Sequence, residues 1–357
     1  MKWSVIIVAL LLIRPCYSQN SIAYSDYRNY FYIFDNGIKK EMEYLPVKSY
    51  KNGASCIAYQ DNSGTLKIYY NKKIFELLEG ATDFYVTKNI CLGKCNGQLK
   101  IFDNGKTRTI SRNSEVFEYG DSIVAFYDKQ YKTFNAYYND SIIQLEDMLT
   151  DESFTEFKAG NNMVTYVNNQ SEFTVFYHGK KLKLFLVAEP FSYKVGQDII
   201  AFTNYEDLSL NVFRNFAIKK IESQIPSSFL CGKNCVVYVD ESGSFKMYKD
   251  GKTEIISNIK PDFYYISDEM VIYSEENYFK IYLNGTTYLL ETYIPSSYKY
   301  DQHCIAYKNN MGVLKFFDKG KTNEITHEVV KNYEINGSVL TYISGNTNKT
   351  YFNGKIY

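Results

Sequence analysis

Residues 192–202 read SYKVGQDIIAF, and residues 297–307 read SYKYDQHCIAY. Each stretch has an aromatic residue, a polar bend, and an apolar run that ends in a second aromatic residue nine positions after the first. The same spacing recurs in the pairs Tyr50/Tyr59, Phe117/Phe126, Phe157/Tyr166, Tyr193/Phe202, Phe229/Tyr238, Tyr264/Tyr273, Tyr298/Tyr307 and Tyr333/Tyr342. Phe84 has the first aromatic, but Gly93 replaces the second. The stretch is therefore one copy of a repeated unit, and its repetition argues against a single functional site.

A tight-turn signal follows each apolar run, as in FDNGIKK (34–40) and YKDGKTE (248–254). The second turn residue marks ten copies with a period near 35 residues: Gly37, Lys72, Gly105, Asp140, Gly179, Phe216, Gly251, Gly285, Gly320 and Gly354. Asn-Gly and Asp-Gly favour two-residue hairpin turns because both turn positions take positive φ. Lys72, Asp140 and Phe216 replace the glycine, so these three copies are expected to use a different or longer turn.

Each full unit contains four short strands. The first carries the leading aromatic, the second is the apolar run, the third alternates as in LKIYY, and the fourth follows the turn as in KTEIIS. Repeated four-stranded antiparallel units indicate the blades of a β-propeller, because stacked blades bury the faces that one blade leaves exposed. The predicted fold is therefore all-β, with blades of about 35 residues.

The order of an aromatic strand, a polar turn, an Ala-aromatic strand and an Asp-Gly turn resembles the WD40-like repeats of TolB-type periplasmic propellers. The chain lacks the Ser-Pro-Asp-Gly motif of that family. The resemblance covers nearly the whole chain after its N-terminal segment and implies an architecture. The composition, rich in Tyr, Asn and Lys, is also similar to that of exported Bacteroidetes proteins.

The number of blades and the closure of the ring stay open at this level. Strands two to four occur ten times, but the first copy lacks its strand one, because the position nine residues before Tyr24 is Pro15. One ring of nine or ten blades, an open arc, or two smaller rings divided near residues 145–154 all fit the repeats. We assign residues 19–357 to the propeller domain.

The N-terminal segment MKWSVIIVALLLIRPCYSQ has the pattern of a secretory signal peptide, with an early lysine and a short apolar run, Val5–Ile13. We expect cleavage after Ser18, and an uncleaved anchor is the alternative. An exported protein, periplasmic or extracellular, is expected, with no stable membrane span after cleavage.

Six cysteines follow this segment, and an even number in an exported chain permits disulfides. Cys91/Cys95 and Cys231/Cys235 are local pairs four residues apart, which makes them candidates for two disulfide bonds, with free thiols as the alternative. The two pairs fall at different places in the repeat, so a shared metal site is not expected. Cys56 and Cys304 occupy equivalent positions in distant copies.

No catalytic, cofactor-binding or metal-ligating residue is predicted, because the chain has no GxSxG, HExxH, P-loop or GxGxxG motif. His178, His303 and His327 share no spacing. The densest acidic cluster, at Glu146, Asp147, Asp151 and Glu152, lacks the spacing of a calcium loop and is interpreted as a solvated turn. Lys and Arg balance Asp and Glu at 40 each, which speaks against a nucleic-acid partner.

The leading hypothesis is an exported, non-catalytic binding or scaffold module that uses one propeller face to bind a protein or another envelope component, with a protein or a glycan as the expected ligand. We expect the ligand at loops such as LLEGATD (77–83), ESQIPSS (222–228), QDNSG (60–64) and VDESG (239–243). Two alternatives stay open. One is a carbohydrate-active hydrolase or lyase with carboxylates at the channel mouth, and the other is a purely structural repeat protein.

Overall fold

Ten antiparallel sheets follow one another along the chain in a computed structural model that describes residues 20–147, 157–187, 192–204 and 206–357. The described residues form strands, turns and links, without a helix. Within each sheet, neighbouring strands are consecutive in the sequence. Each sheet is therefore one blade, and its strands are called inner, second, third and outer.

The first five blades are built from these strands: blade 1, β1 (Ser21–Ser25), β2 (Phe31–Asp35) and β3 (Ile38–Glu43); blade 2, β4 (Ser49–Asn52), β5 (Ile57–Gln60), β6 (Leu66–Tyr70) and β7 (Lys73–Leu78); blade 3, β8 (Asp83–Val86), β9 (Ile90–Cys95), β10 (Gln98–Asp103) and β11 (Lys106–Ser111); blade 4, β12 (Phe117–Tyr119), β13 (Ile123–Asp128), β14 (Thr133–Tyr138) and β15 (Ser141–Asp147); blade 5, β16 (Phe157–Ala159), β17 (Met163–Val167), β18 (Glu172–Tyr177) and β19 (Lys180–Leu186).

The other five blades are built likewise: blade 6, β20 (Tyr193–Val195), β21 (Ile200–Asn204), β22 (Ser209–Arg214) and β23 (Ala217–Glu222); blade 7, β24 (Ser228–Cys231), β25 (Cys235–Val239), β26 (Phe245–Lys249) and β27 (Lys252–Ser257); blade 8, β28 (Phe263–Ser267), β29 (Met270–Glu275), β30 (Tyr278–Leu283) and β31 (Thr286–Glu291); blade 9, β32 (Tyr298–Asp301), β33 (Cys304–Lys308), β34 (Leu314–Asp318) and β35 (Lys321–Thr326); blade 10, β36 (Val330–Asn336), β37 (Val339–Ser344), β38 (Thr347–Phe352) and β39 (Lys355–Ile356).

The nine-residue spacing of aromatic residues has a direct structural cause. Tyr193 lies opposite Phe202 in the inner hairpin of blade 6, and Tyr298 lies opposite Tyr307 in that of blade 9. A residue and its cross-strand neighbour pack side by side on one face of the sheet. The repeated aromatics are therefore packing residues, as their repetition indicates.

Blade 3 shows how the missing aromatic at Gly93 is replaced. Gly93 pairs with Phe84, but a Cβ at Gly93 would lie only 2.8 Å from the Leu66 side chain of blade 2. Leu77 and Leu78 are the next nearest groups, at 3.3 and 3.4 Å. Leucines of the preceding blade thus fill the space, and a side chain at position 93 would collide with them.

All ten hairpins between third and outer strands have a two-residue turn. The expectation of a different turn at Lys72, Asp140 and Phe216 is wrong, since these residues have φ of 63°, 59° and 62°. The pairing across these turns, such as Tyr70 with Lys73, leaves two loop residues, as in the glycine-containing copies. The cost of the left-handed conformation, about 1–2 kcal/mol, is outweighed by the register that the flanking strands impose.

The core consists of ten clusters of buried residues, one at each contact between successive blades. The tenth cluster joins blades 10 and 1 through Ile22, Phe34, Val339 and Phe352. The ring is therefore closed with ten blades. It also continues across residues 145–154, where Phe134 of blade 4 packs on Tyr166 of blade 5, so the structure does not divide into two rings there.

Glycines let the inner hairpins approach one another around the channel. A Cβ at Gly120 would lie 1.9 Å from the carbonyl oxygen of Gly160, and one at Gly160 would lie 2.3 Å from that of Gly196. Gly53 and Gly232 are equally crowded by backbone of the next blade. The glycine in the opening stretch is therefore required by close backbone approach.

Candidate functional site

The ring has two faces, because antiparallel strands place alternate connections at opposite ends. The link face carries the loops between second and third strands and the links from each outer strand to the next blade. The turn face carries the tight turns between inner and second strands and between third and outer strands. The four loops expected to bind a ligand, residues 60–64, 77–83, 222–228 and 239–243, all lie on the link face.

Large apolar side chains are strongly exposed on the link face. Tyr44, Met311 and Val329 have 86%, 84% and 83% of their surface exposed. Tyr131 lies in a loop of the same face and is also largely exposed. On the turn face, the apolar turn residue Phe216 is only 48% exposed and lies over the ring of Tyr177.

Three of these exposed residues, together with Tyr27, which is 56% exposed, lie on consecutive blades where the chain ends meet. Met311 belongs to blade 9, Val329 precedes blade 10, Tyr27 lies in blade 1, and Tyr44 precedes blade 2. We call these four residues the closure sector. Exposed apolar residues concentrated on one part of a surface are typical of interaction sites.

Hydrogen bonds hold the loops of the link face in place. Asp61 accepts from the backbone amide of Thr65 at 2.9 Å, and Lys67 lies 2.9 Å from its other oxygen. Burial pushes the pKa of Asp61 upward, but hydrogen bonds from Ser63 and Lys67 outweigh it and hold the pKa at about 2. Asp240 is held in the same way in blade 7, with a pKa of about 2.

Glutamates near the link face join one blade to the next. Glu43 of blade 1 accepts hydrogen bonds from the Tyr59 hydroxyl (3.1 Å) and from Lys67 (2.9 Å) of blade 2. The same arrangement recurs between blades 6 and 7 in Glu222, Tyr238 and Lys246. These contacts fix successive blades relative to each other near the link face. The hydroxyl groups of these repeated tyrosines thus take part in the contacts between blades.

The turn-face end of the channel carries a charge cluster that sequence reasoning missed. Lys88 of blade 3 forms an ion pair with Asp268 of blade 8, across the ring, and its Nζ lies 3.7 Å from Asp121 of blade 4. Burial is the main cause that raises the pKa of Asp121 and of the nearby Asp301, while Lys88 lowers both. The side chain of Lys88 therefore crosses this end of the channel.

A signal for this cluster is present in the repeats. Lys88, Asp121 and Asp268 each lie four residues after the leading aromatic of their inner strand, at Phe84, Phe117 and Tyr264. Blade 7 also has a charge at this position, Lys233, whereas other copies hold uncharged residues such as Asn161 and Gln197. Charges of opposite sign at the same repeat position do not by themselves predict a contact. The contact follows only from the closed ring, which places these copies next to or opposite one another.

The three histidines do not come together. His178 and His303 lie in tight turns of blades 5 and 9 on the turn face, and His327 follows the outer strand of blade 9 at the link face. Nε2 of His178 lies 3.8 Å from Asp198, and Nε2 of His327 lies 3.6 Å from Glu324.

The acidic cluster is only partly within the described residues. Glu146 accepts from the Tyr166 hydroxyl at 3.3 Å, and Asp147 accepts from Gln144 at 2.6 Å. Asp151 and Glu152 lie outside the described residues. The two described carboxylates thus take part in hydrogen bonds within and between blades.

All six cysteines of the described chain are free thiols. Cys91 and Cys95 are four residues apart along β9, about 13 Å at the usual strand rise, which is beyond the reach of a disulfide. Cys231 donates to the carbonyl of Lys194 in blade 6, and Cys235 to that of Asp268 in blade 8, so these thiols point to opposite neighbours. Either predicted disulfide would need a rearrangement of the strands, and the structure favours free thiols.

Two further findings concern the described residues only. Within them, no group of three or more His, Cys, Asp or Glu side chains has an arrangement that could hold a metal ion. No helix in that part of the chain is long and apolar enough to cross a membrane.

Comparisons with solved structures find proteins with low sequence identity. A eukaryotic initiation factor has 10% identity and a TM-score of 0.45, over 86% of this chain and 96% of that one. PorZ, a surface component of the type-IX secretion system of Porphyromonas gingivalis, has 9% identity and a TM-score of 0.32, over 92% of this chain and 56% of that one. The CRINKLY WD40 ectodomain of the Arabidopsis thaliana receptor kinase ACR4 has 11% identity and a TM-score of 0.32, over 64% and 89%.

No curated protein matches the sequence. The model of one family, the 10-bladed beta propeller domain, matches residues 16–357, nearly the whole chain. This match agrees with the ten blades and the closed ring of the structure. The chain belongs to the family of the 10-bladed beta propeller domain.

Proposed function

We propose that this chain is a non-catalytic binding or scaffold module that holds a protein partner on its link face. The closure sector carries the proposal, because Tyr44, Met311 and Val329 expose more than four-fifths of their surface on one face of a closed ring. Apolar and aromatic side chains that are exposed on ordered loops lose little conformational entropy on binding and bury much area. A protein surface is the partner that uses such residues.

The alternative of a carbohydrate-active hydrolase or lyase has less support. Its catalysis needs one carboxylic acid and one free carboxylate that face the same bond. At the channel end, Asp268 is ion-paired with Lys88, and Asp121 lies 3.7 Å from the same ammonium group. A purely structural protein does not explain why Tyr44, Met311 and Val329 leave more than four-fifths of their surface exposed on the link face.

Export, to the periplasm or the extracellular space, belongs to the same proposal and rests on the N-terminal residues, which lie outside the described part of the chain. The test is N-terminal sequencing of the protein from its source. A mature end at Gln19 supports the proposal, and a cytoplasmic protein with an intact N-terminus overturns this part of it.

Photocrosslinking in the source organism tests the binding face. Benzoylphenylalanine is placed at Tyr44 or Met311 on the link face, and at Phe216 on the turn face as the matched control. We expect one adduct of the same mass from positions 44 and 311, and none from position 216. Equal adducts at all three positions, or none on the link face, contradict the proposal.

A further inference from the structure

Four tyrosines of the inner strands lie outside the repeated aromatic positions: Tyr85, Tyr119, Tyr265 and Tyr300. Inner strands border the central channel, so the exposed part of their side chains faces it. Tyr119, Tyr265 and Tyr300 have 37%, 41% and 40% of their surface exposed. These rings contact a neighbouring blade on one side, but more than a third of the surface of Tyr119, Tyr265 and Tyr300 remains exposed, in contrast to the repeated aromatics.

The four tyrosines form two pairs. Tyr85 of blade 3 lies 4.9 Å from Tyr119 of blade 4, measured between ring centroids, and Tyr265 of blade 8 lies 6.1 Å from Tyr300 of blade 9 with nearly parallel rings. The pairs are five blades apart in a ring of ten. They therefore lie on opposite walls of the channel.

The ion pair across the ring shows that these two walls are close. Lys88 follows Tyr85 by three residues, and Asp268 follows Tyr265 by three residues. Because Lys88 and Asp268 touch, the walls at this end are separated only by the length of two side chains. The two tyrosine pairs thus border a slot whose end is formed by polar groups.

Polar groups follow every tyrosine of the two pairs. Lys88, Asp121, Asp268 and Asp301 come one to three residues after Tyr85, Tyr119, Tyr265 and Tyr300, respectively. A site with flat aromatic walls and a few fixed carboxylates and ammonium groups suits a ligand that offers both C–H faces and many hydroxyl groups. A sugar offers more hydroxyl donors to these carboxylates than a nucleobase or an aromatic side chain does.

The charges of the channel are nearly balanced. The inner strands and the turns that follow them carry seven lysines and eight carboxylates: Lys51, Lys88, Lys158, Lys194, Lys233, Lys299 and Lys331, and Asp83, Glu118, Asp121, Asp198, Asp268, Glu269, Asp301 and Glu334. A polyanion or polycation gains little from a surface whose charges nearly cancel. The balance favours an uncharged ligand.

We propose that the channel binds a neutral oligosaccharide, with a sugar ring between the two tyrosine pairs and its hydroxyl groups hydrogen-bonded to Asp121, Asp268, Asp301 and Lys88. This site is separate from the closure sector and does not depend on the protein partner proposed there. The tyrosine faces supply area for stacking, and the carboxylates bind adjacent hydroxyl groups.

Isothermal titration of the full chain with neutral hexasaccharides tests the proposal. The probes are maltohexaose, cellohexaose, xylohexaose, mannohexaose and chitohexaose, with hexagalacturonic acid as the charged comparison. We expect at least one neutral probe to bind, and the double variant Tyr265→Ala, Tyr300→Ala to raise its Kd by tenfold or more. The matched control is Tyr278→Ala, which removes a tyrosine of the same exposure (39%) from the third strand of blade 8 and should leave the Kd unchanged.

A second variant keeps the proposal testable if the double variant does not fold. Asp268→Asn retains the shape of the side chain and should raise the Kd severalfold, with an unchanged circular dichroism spectrum. Binding of no neutral probe, binding of hexagalacturonic acid alone, or an unchanged Kd in both Asp268→Asn and the single variant Tyr300→Ala overturns the proposal.

Discussion

The side-chain amide of Asn52 binds both backbone groups of Ala23, accepting from its nitrogen at 2.8 Å and donating to its oxygen at 3.4 Å. Ala23 lies in β1, which has no inner strand beside it among the described residues, and Asn52 ends the inner strand of blade 2. In the complete blade 2, the residue equivalent to Ala23 is Ala58, which pairs with the inner strand. The Asn52 side chain thus makes backbone hydrogen bonds that an inner strand makes in the complete blades.

Blade 10 supplies two further hydrogen bonds to β1. Asn336 donates to the carbonyl of Ser21 at 2.7 Å, and Asn348 donates to the carbonyl of Ser25 at 3.0 Å. An exposed strand edge is a template for unwanted pairing, so these asparagines satisfy groups that would otherwise be open. The described residues therefore close the ring with three strands in blade 1.

Removal of the Asn52 amide should weaken the closure. Other copies hold Val86, Val195 or Ile266 at the position of Asn52, so Asn52→Val fits the repeat but leaves Ala23 without its partner. We expect a loss of about 2 kcal/mol in the free energy of unfolding, measured by urea denaturation. Asn310→Ala, which removes an exposed amide from a loop of blade 9, is the control and should change little. Equal stability of the two variants would contradict a role of Asn52 in closure.

The turn at Lys72 should be improved by glycine. Lys72 has φ of 63°, a conformation that costs a non-glycine residue about 1 kcal/mol or more, and its side chain is exposed. Lys72→Gly should therefore raise the free energy of unfolding by about 1 kcal/mol. The reverse change, Gly251→Ala, where φ is 83° and the Cβ meets open space, should lower it by a similar amount. Changes of the same sign in both variants would refute this explanation.

The glycines between inner hairpins should not accept a side chain. Gly120→Ala places a Cβ 1.9 Å from the carbonyl oxygen of Gly160, so the backbone of two blades must shift. We expect a loss of several kcal/mol or a failure to fold, seen in the yield and the melting temperature. Ser267→Ala is the control, because Ser267 stands at the equivalent position of blade 8 and already has a Cβ. A melting temperature of Gly120→Ala within a degree of the wild type would show that the crowding is not real.

Acid should weaken the loops of the link face. The pKa of Asp61 and of Asp240 is about 2 in the folded chain, below the ordinary value of 3.8. A depressed folded pKa contributes stability above the unfolded pKa, and this contribution is lost as the pH falls from about 4 to about 2. Unfolding of Asp61→Asn should therefore depend less on pH in this window than unfolding of the wild type. Identical slopes of stability against pH would exclude the contribution of Asp61.

The thiols should react slowly in the folded chain. Burial raises the pKa of Cys56 and of Cys235 to about 12, so the reactive thiolate is scarce at neutral pH. Titration with Ellman's reagent should detect Cys95 and Cys231 first, since both are half-buried, and the four buried thiols only after urea is added. If the number of thiols counted in urea is lower by two without reductant than with it, the chain contains a disulfide. That result would support the disulfide predicted from the cysteine spacing.

The repeat pattern correctly predicted the four-stranded blade and the pairing of residues within it. The spacing of Tyr193 and Phe202 identified two residues that lie directly opposite each other. The same local argument failed at Phe216, where the strands enforce a turn that the residue itself disfavours. It also missed Lys88 and Asp268, because 180 residues separate them along the chain.

Hydrophobic periodicity and turn residues are local properties of the sequence. They determine the order of the strands, the length of a blade and the number of repeats within this chain. Ring closure is a sum of small rotations between successive blades, which no single copy encodes. Only the folded ring brings Asn52 and Asn336 to the open edge of β1, and Lys88 to Asp268 across the channel. The candidate binding surfaces consist of residues at which the repeats differ from one another. Ring closure determines which of these residues lie next to each other.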